Sequence, residues 1–311
     1  MGRLLGGVVA AGLATTFAHA APIAAAVTPP APATAPAAAL RVVNVGTRPE
    51  SITRGFGDKY YVTVMNTPGP GDGVVKVIEE TGGPAGNEAA KAVVKDFATG
   101  LDEPKGICFT GKALIATDLK RIVQIDESGK TSVLAEPKDF PAEPNYLNDI
   151  ACEPGGKAVY VADMGANTKI FTPDKQLWPL DSDNAKALPA IGRVFRVGLD
   201  KKITVAVDNT PAMPCPNGVS VPKKGRLLVA EFFTGNIFRP EGKTLKLLAA
   251  GLRGADGIQE DAKGNVYVSS WTQGKVWRLP RSSGKKPAEP ILVAEGFQSA
   301  ADFYIDTKTK Q

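Results

Sequence analysis

The chain has 311 residues, with 37 Lys and Arg against 32 Asp and Glu and a formal net charge of +5. Its basic residues are scattered among acidic ones, with no basic stripe carrying interleaved aromatics, so nucleic acid is not expected as a partner. The one histidine is His19, and once it leaves with a leader the rest cannot build a Ser-His-Asp triad, a Cys-His pair or a histidine-rich zinc site.

Residues 1–20 read as a secretory signal peptide. Arg3 is the charge of the n-region, Leu4 to Phe17 is small and apolar, and Ala18-His19-Ala20 has the A-x-A form of a cleavage site. That run is short for a membrane anchor, and no later run is long enough to span, so the expected product is periplasmic or secreted, with no membrane span after leader removal. Residues 21–40 are almost only Ala, Pro and Thr, have nothing to bury, and are expected to form a flexible linker. The folded domain is expected over 41–311.

Within it one pattern recurs: strand, tight turn, strand. It occupies 50–65, 105–119, 148–164, 217–232 and 256–271, and a sixth copy starts at Ala301-Asp302-Phe303-Tyr304-Ile305-Asp306. In the fifth copy Lys263-Gly264-Asn265 carries the turn chemistry, and Val266, Tyr267 and Val268 are the β-formers that follow. Third strands come next, as in Arg121 to Ile125 and Lys275 to Leu279, and then fourth strands, as in Leu245 to Leu248 and Ile291 to Ala294. Repeats close on a Gly-hydrophobe pair: Gly100-Leu101, Gly251-Leu252, Gly296-Phe297. Four strands every roughly 40–45 residues mark propeller blades. The expected fold is an all-β, six-bladed β-propeller with four antiparallel strands per blade. Its last blade is incomplete in this chain, with 41–45 adding a strand that closes the ring. A longer interval between Asn148 and Asn217 places an insertion, a surface loop, around Thr172 to Ile191.

In a propeller the first strand of each blade lines the central channel. Equivalent positions then form a ring at one mouth: Glu50, Lys105, Asn148, Asn217, Asp256 and Ala301. Asn217-Gly218 or Asp256-Gly257 alone is an ordinary turn dipeptide. Four oxygen-bearing residues in one register of four repeats are a donor set for a hard divalent cation. Glu50, Asn148, Asn217 and Asp256 are the candidate ligands. Calcium is the first choice, with Zn²⁺, Mn²⁺ or Mg²⁺ as alternatives. Without a cation, Glu50 and Asp256 would repel, and one would have its pKa raised.

The runs Pro49-Glu50-Ser51-Ile52, Leu147-Asn148-Asp149-Ile150, Pro216-Asn217-Gly218-Val219 and Ala255-Asp256-Gly257-Ile258 resemble the SMP-30/gluconolactonase/LRE family. The resemblance implies that Glu50, Asn217 and Asp256 hold one divalent metal, that Asn148 is a ligand or a substrate contact, and that Asp256 is the base. It also implies a lactone or related ester as the small-molecule substrate. Paraoxonases are similar in architecture but use histidine, where the matching ring place here is Lys105. Well-known lactonases carry arginine where this chain has Tyr146. Lys105 either steadies an anionic intermediate or product, or is a solvated rim lysine. Asp149 either orients Asn148 or is a turn residue. The alternative to a hydrolase is a non-enzymatic propeller that binds a ligand or protein partner around a structural metal ion. A strictosidine-synthase-like condensing role fits the oxygen ring poorly.

Three cysteines allow one intrachain disulfide at most; Cys108 and Cys152 sit in apolar strand patterns and are read as buried free thiols. Asp118, Asp163 and Glu231 end successive second strands, where a structural role is expected. Trp178, Trp271 and Trp277 are read as packing residues, with Trp271 also placed to wall a cleft.

Overall fold

The structure, a computed structural model, describes residues 42–81, 91–222, 225–281 and 286–306. The leader and linker expected over 1–40 lie outside the described residues. The first blade is β1 (Pro49–Arg54), β2 (Tyr60–Val64), β3 (Gly73–Thr81) and β4 (Lys91–Leu101). The second is β5 (Pro104–Phe109), β6 (Leu114–Asp118), β7 (Arg121–Ile125) and β8 (Thr131–Ala135). The third is β9 (Leu147–Cys152), β10 (Ala158–Asp163), β11 (Arg193–Gly198) and β12 (Ile203–Val207). The fourth is β13 (Pro216–Ser220), β14 (Leu228–Glu231), β15 (Ile237–Glu241) and β16 (Thr244–Ala249), and the fifth β17 (Ala255–Glu260), β18 (Val266–Ser270), β19 (Lys275–Leu279) and β20 (Ile291–Glu295). Each blade is a four-stranded antiparallel sheet, and the inner strands β1, β5, β9, β13 and β17 stand side by side around an axis. The fold is an all-β propeller.

The core lies between blades rather than at the axis. Tyr61, Val75 and Val77 of blade one meet Ile107, Leu114 and Ile125 of blade two; Ile115 and Ile122 meet Val159, Val161 and Phe195; Leu228 and Ile237 meet Ile258, Val266 and Val268. A strand packed on both faces cannot alternate, which is why β6 is buried at all five positions of Leu-Ile-Ala-Thr-Asp. Among the described residues no helix is long and apolar enough to cross a membrane.

Three expectations are corrected. Among the described residues there are five blades of four strands, not six. Residues 301–306 form no strand, although they occupy the gap between β17 and β1. Gln259 donates from Nε2 to the Phe303 carbonyl at 2.5 Å and accepts from the Ile305 N–H at 2.8 Å. On the other side the Asp302 N–H donates to the Glu50 carbonyl at 3.1 Å, and Arg54 pairs with Asp306 at 2.7 Å. Three of these four contacts use a side chain, since among the described residues no second strand of that repeat lies alongside to build a ladder. The closing strand at 41–45 is likewise absent over residues 42–45, although Val43 and Val45 pack on Val62, Val64 and Ile78 of blade one. Finally, Cys108 and Cys152 are not free thiols. They form a disulfide, Cα to Cα 5.6 Å, that staples β5 to β9. Successive inner strands are neighbours, and the two cysteines sit near corresponding ends of theirs, within disulfide reach. Cys215 is free and buried.

The connection between β10 and β11 contains the insertion. It folds back on the channel face, burying Ile170 and packing Phe171, Leu177 and Trp178 against Cys215, Phe232 and Phe233.

Candidate functional site

All five blades share one irregularity. Between the first and second strands the register runs Pro49↔Val64 to Ile52↔Val62, Pro104↔Asp118 to Ile107↔Ala116, Leu147↔Asp163 to Ile150↔Val161, Pro216↔Glu231 to Val219↔Val229 and Ala255↔Ser270 to Ile258↔Val268. Each time the inner strand carries one extra residue. This is a β-bulge, a device that re-aims side chains. The residues inside it are the ring position and its successor: Glu50-Ser51, Lys105-Gly106, Asn148-Asp149, Asn217-Gly218 and Asp256-Gly257. The successors are small where strands crowd: a Cβ on Gly218 would lie 1.9 Å from the Asp256 carbonyl oxygen.

The bulges sort side chains to two sides of the axis. Glu50, Lys105, Asn148, Asn217, Asp256 and Ala301 all border one cavity of about 680 Å³ at the upper mouth. Asp149 and Asp302 border a second, of about 700 Å³, at the other end, beside the Cys108–Cys152 bridge. The six ring residues proposed from sequence therefore do converge.

Four buried side-chain atoms among the described residues have no hydrogen-bond partner: Glu50 Oε2, Asn148 Oδ1, Asn217 Oδ1 and Arg54 Nε. The three oxygens belong to three of the four candidate ligands. Leaving one such group unpaired costs about 1–3 kcal/mol, so three in one cavity call for an electropositive partner. The fourth candidate, Asp256, is buried in the same cavity, where the Asn217 side chain works against the rise in its pKa. The Asn148 amide nitrogen is turned to Met164 Sδ at 2.9 Å, which leaves its oxygen as the free end. Among the described residues no three His, Cys, Asp or Glu side chains gather as a metal cluster. The donor set is mixed instead, two carboxylates and two amides, and its chemistry fits a hard cation such as Ca²⁺.

Electrostatics agree. Burial, with Asp302 nearby, pushes Glu50 up to about 8, and Lys105 opposes the rise. Burial, with Glu50 and then Asp302, holds Asp256 well above the usual carboxylate range. Protein alone does not balance these charges, and a bound cation would reverse both shifts.

Lys105 is not a solvated rim lysine. Its side chain is 3% exposed, its Nζ lies 3.3 Å from Glu103 Oε2 and 4.4 Å above the Tyr146 ring, and it faces the cavity. Asp149 makes no side-chain hydrogen bond to Asn148; it accepts the Ile150 N–H at 2.7 Å and the Val219 N–H at 2.7 Å, tying β9 to β13. The strand-end acids are structural, as expected. Asp118 accepts the Asp102 and Glu103 N–H groups, Asp163 those of Asn145 and Tyr146, and Glu231 that of Cys215. Trp178 and Trp277 pack within the fold, whereas Trp271 is 40% exposed on the cavity.

Several site residues escaped the sequence reading. Glu103 holds Lys105 and is approached by Arg48 at 3.8 Å; its spacing of two from Lys105 on an extended chain was the available signal. Asp302 follows Ala301 in the sixth repeat, as Asp149 follows Asn148 in the third; it accepts from Ser51 Oγ at 2.5 Å. Phe171 and Phe232 join Trp271 in an apolar wall with Met65 and Met164; Met65, Met164, Phe232 and Trp271 each stand one residue past the second strand of their blade, a shared register that was the available signal, while Phe171 comes from the insertion.

A family model described as the SMP-30/gluconolactonase/LRE-like region matches residues 87–292. The chain belongs to that family. The match takes in Asn148, Asn217 and Asp256, while Glu50 precedes it and Asp302 follows it. Among solved structures, this SMP-30/gluconolactonase/LRE-like chain is similar to a candidate gluconolactonase, with 16% identity, 84% of this chain and 82% of that one covered, and a TM-score of 0.57. It is also similar to a chain of a nidogen/laminin complex, at 15% identity, 74% and 75% coverage and a TM-score of 0.54. Both likenesses are of fold. No curated protein sequence matches.

Proposed function

We propose that this protein is an exported, divalent-cation-dependent hydrolase that opens a lactone or a related carboxylic ester. One observation carries the reading: three buried, unpartnered oxygens, on Glu50, Asn148 and Asn217, share the mouth of the channel with Asp256. Family membership supports the lactone. A disulfide between the inner strands, a bond that persists in oxidising compartments, supports export, as does the signal-like leader.

A divalent cation at this seat supplies Lewis-acid polarisation of the ester carbonyl. The chain's own residues do the rest. Asp256, ionised where a cation offsets its burial and the nearby Glu50, takes a proton from the attacking water as general base and returns it to the alkoxide oxygen released when the ring C–O bond breaks. Asn148 orients the carbonyl end of the substrate. Lys105, held between Glu103 and Tyr146, offers positive charge to the carboxylate that ring opening leaves. Phe171, Phe232 and Trp271 form a hydrophobic wall suited to a substrate with an aryl or long alkyl substituent rather than a polyhydroxylated sugar ring.

The test is turnover of a panel of aryl esters and alkyl- and sugar-lactones by protein dialysed against chelator, then restored with Ca²⁺, Mn²⁺ or Zn²⁺, alongside metal analysis. Loss and recovery of hydrolysis, and a fall of at least 10²-fold in kcat for Asp256→Asn with the β-rich circular dichroism intact, are expected. Hydrolysis indifferent to chelator, or no turnover across the panel in metal-loaded protein, overturns the proposal; the latter leaves a binding propeller around a structural ion.

A further inference from the structure

Scattered along the sequence, the basic residues have a preferred address in the fold. Arg226 from the β13–β14 connection, Arg239 of β15, Lys246 of β16, Lys263 of the β17–β18 turn, and Arg281 and Lys286 from the β19–β20 connection all line one cleft of about 310 Å³ between blades four and five. Glu260 is the one acid among the described residues of its lining. The cleft thus carries an excess of five positive charges, equal to the formal net charge of the whole chain.

Little inside the protein offsets that charge. Among the described residues, Arg239 alone of the six has a carboxylate within salt-bridge distance, Glu241 at 3.1 Å. Arg239 and Lys246 are also direct cross-strand partners on β15 and β16, and both are half-buried. Like charges placed opposite each other weaken an antiparallel pair, so the sheet bears a local cost there that a bound anion would relieve.

We propose that this cleft is a binding site for a small multivalent phosphate anion, free or as a phosphate ester. Size and chemistry both select that ligand. The volume equals that of about ten water molecules in the liquid, which accommodates a di- or triphosphate and not a strand of polymer. Three guanidinium forks match phosphate oxygens two at a time, and three ammonium groups add charge from other sides of the rim. A monovalent anion would leave most of that rim unneutralised. The cleft lies between blades, away from the axial cavity's lining, so the inference stands apart from the reading of the channel mouth.

The experiment is calorimetric titration of the full chain with sodium tripolyphosphate in 150 mM NaCl, with EDTA present so that chelation by the probe contributes no heat. Saturable binding of one equivalent is expected, at least tenfold weaker in Lys246→Ala/Arg281→Ala. Lys130→Ala/Lys138→Ala removes the same charge from exposed positions elsewhere and should bind as the unaltered protein does. Should the first variant fail to fold, Lys263→Ala/Lys286→Ala, both at exposed positions, replaces it. A parallel arm uses phosphatidylcholine vesicles with and without phosphatidylinositol bisphosphate, whose headgroup is a multivalent phosphate. Binding to tripolyphosphate alone identifies a soluble phosphate, and binding to both it and the phosphoinositide identifies a lipid phosphate as the source. Equal weakening by the control variant, no binding at 150 mM NaCl, or binding to vesicles without tripolyphosphate overturns the site in favour of diffuse surface attraction.

Discussion

In cation-free protein, stability should fall as pH rises through neutrality, and beside Asp256 a large share of that fall is carried by Glu50. In the cation-free protein its carboxyl is raised from 4.5 to about 8, first by burial and then by Asp302. A folded-state pKa above the unfolded one means the native protein holds that proton more tightly. The associated stability is full below pH 4.5 and is lost progressively as pH climbs through about 8. At about 1.4 kcal/mol per unit, the loss is on the order of 3 kcal/mol by pH 7 and on the order of 5 once the group is fully ionised. For a domain of this size, 3 kcal/mol corresponds to a fall in Tm of roughly 6–12 °C. The assay is thermal unfolding by circular dichroism at pH 5, 6, 7 and 8, in EDTA and in saturating Ca²⁺, for the unaltered protein and for Glu50→Gln. In EDTA the unaltered protein should lose Tm toward pH 8, while Glu50→Gln loses less and keeps the share that buried Asp256 contributes. With Ca²⁺ the ionised carboxylate is the bound form, and the decline of the unaltered protein should flatten. Parallel profiles for the two proteins in EDTA would refute the buried-carboxylate account of the site.

Three further outcomes are expected. Cys108→Ser/Cys152→Ser opens a closed loop of 44 residues and should cost about 4 kcal/mol by the chain-entropy relation, read as a lower urea midpoint with an enlarged m-value. Trp271→Ala removes a partly exposed cavity wall, so stability should change by less than about 1 kcal/mol while KM for aryl substrates rises roughly tenfold and KM for a small unsubstituted lactone stays put. Gly218→Ala drives a methyl group into the Asp256 carbonyl, a backbone atom with no rotamer to yield, and should cost at least about 2 kcal/mol while weakening calcium affinity measured by dye competition.

Repeat spacing made the strands and the ring legible, because inner strands of successive blades are written in the same register and each ring residue precedes an apolar run. Glu50, Asn148, Asn217 and Asp256 could be aligned for that reason alone, and the cavity they border is where alignment places them. The disulfide was legible by the same logic but was missed: Cys108 lies three residues past Lys105 and Cys152 four past Asn148, so neighbouring inner strands bring them within 5.6 Å. Their apolar surroundings made each look like ordinary core. The sixth blade was over-read, since one β-forming run at 301–306 predicts a strand only if a second run lies beside it. Most of the apolar wall was legible too, since Met65, Met164, Phe232 and Trp271 hold one register just past the second strands, whereas the basic cleft had no signature, since it draws on side chains from loops and outer strands whose positions depend on how neighbouring blades lean together.

One extra residue per blade explains why a single ring can carry so much charge. Without the bulge, strict alternation would send a ring residue and its successor to opposite faces of the inner strand, each toward a neighbouring blade. With it, Asn148 borders the upper cavity and Asp149 the lower, and the sixth segment repeats the relation with Ala301 and Asp302. The successors then have to fit between inner strands, and glycine at 106, 218 and 257 leaves room for the two aspartates and Ser51 in that layer. Asp149 and Asp302 use the room to accept the Val219 N–H and the Ser51 hydroxyl, binding inner strands that share no ladder. The same two carboxylates lie close enough to Glu50 to interact with it, and Asp302 raises its pKa. Structural acids below thus raise the electrostatic need for a cation above, and replacing Asp302 by Asn should lower calcium affinity without removing a single ligand.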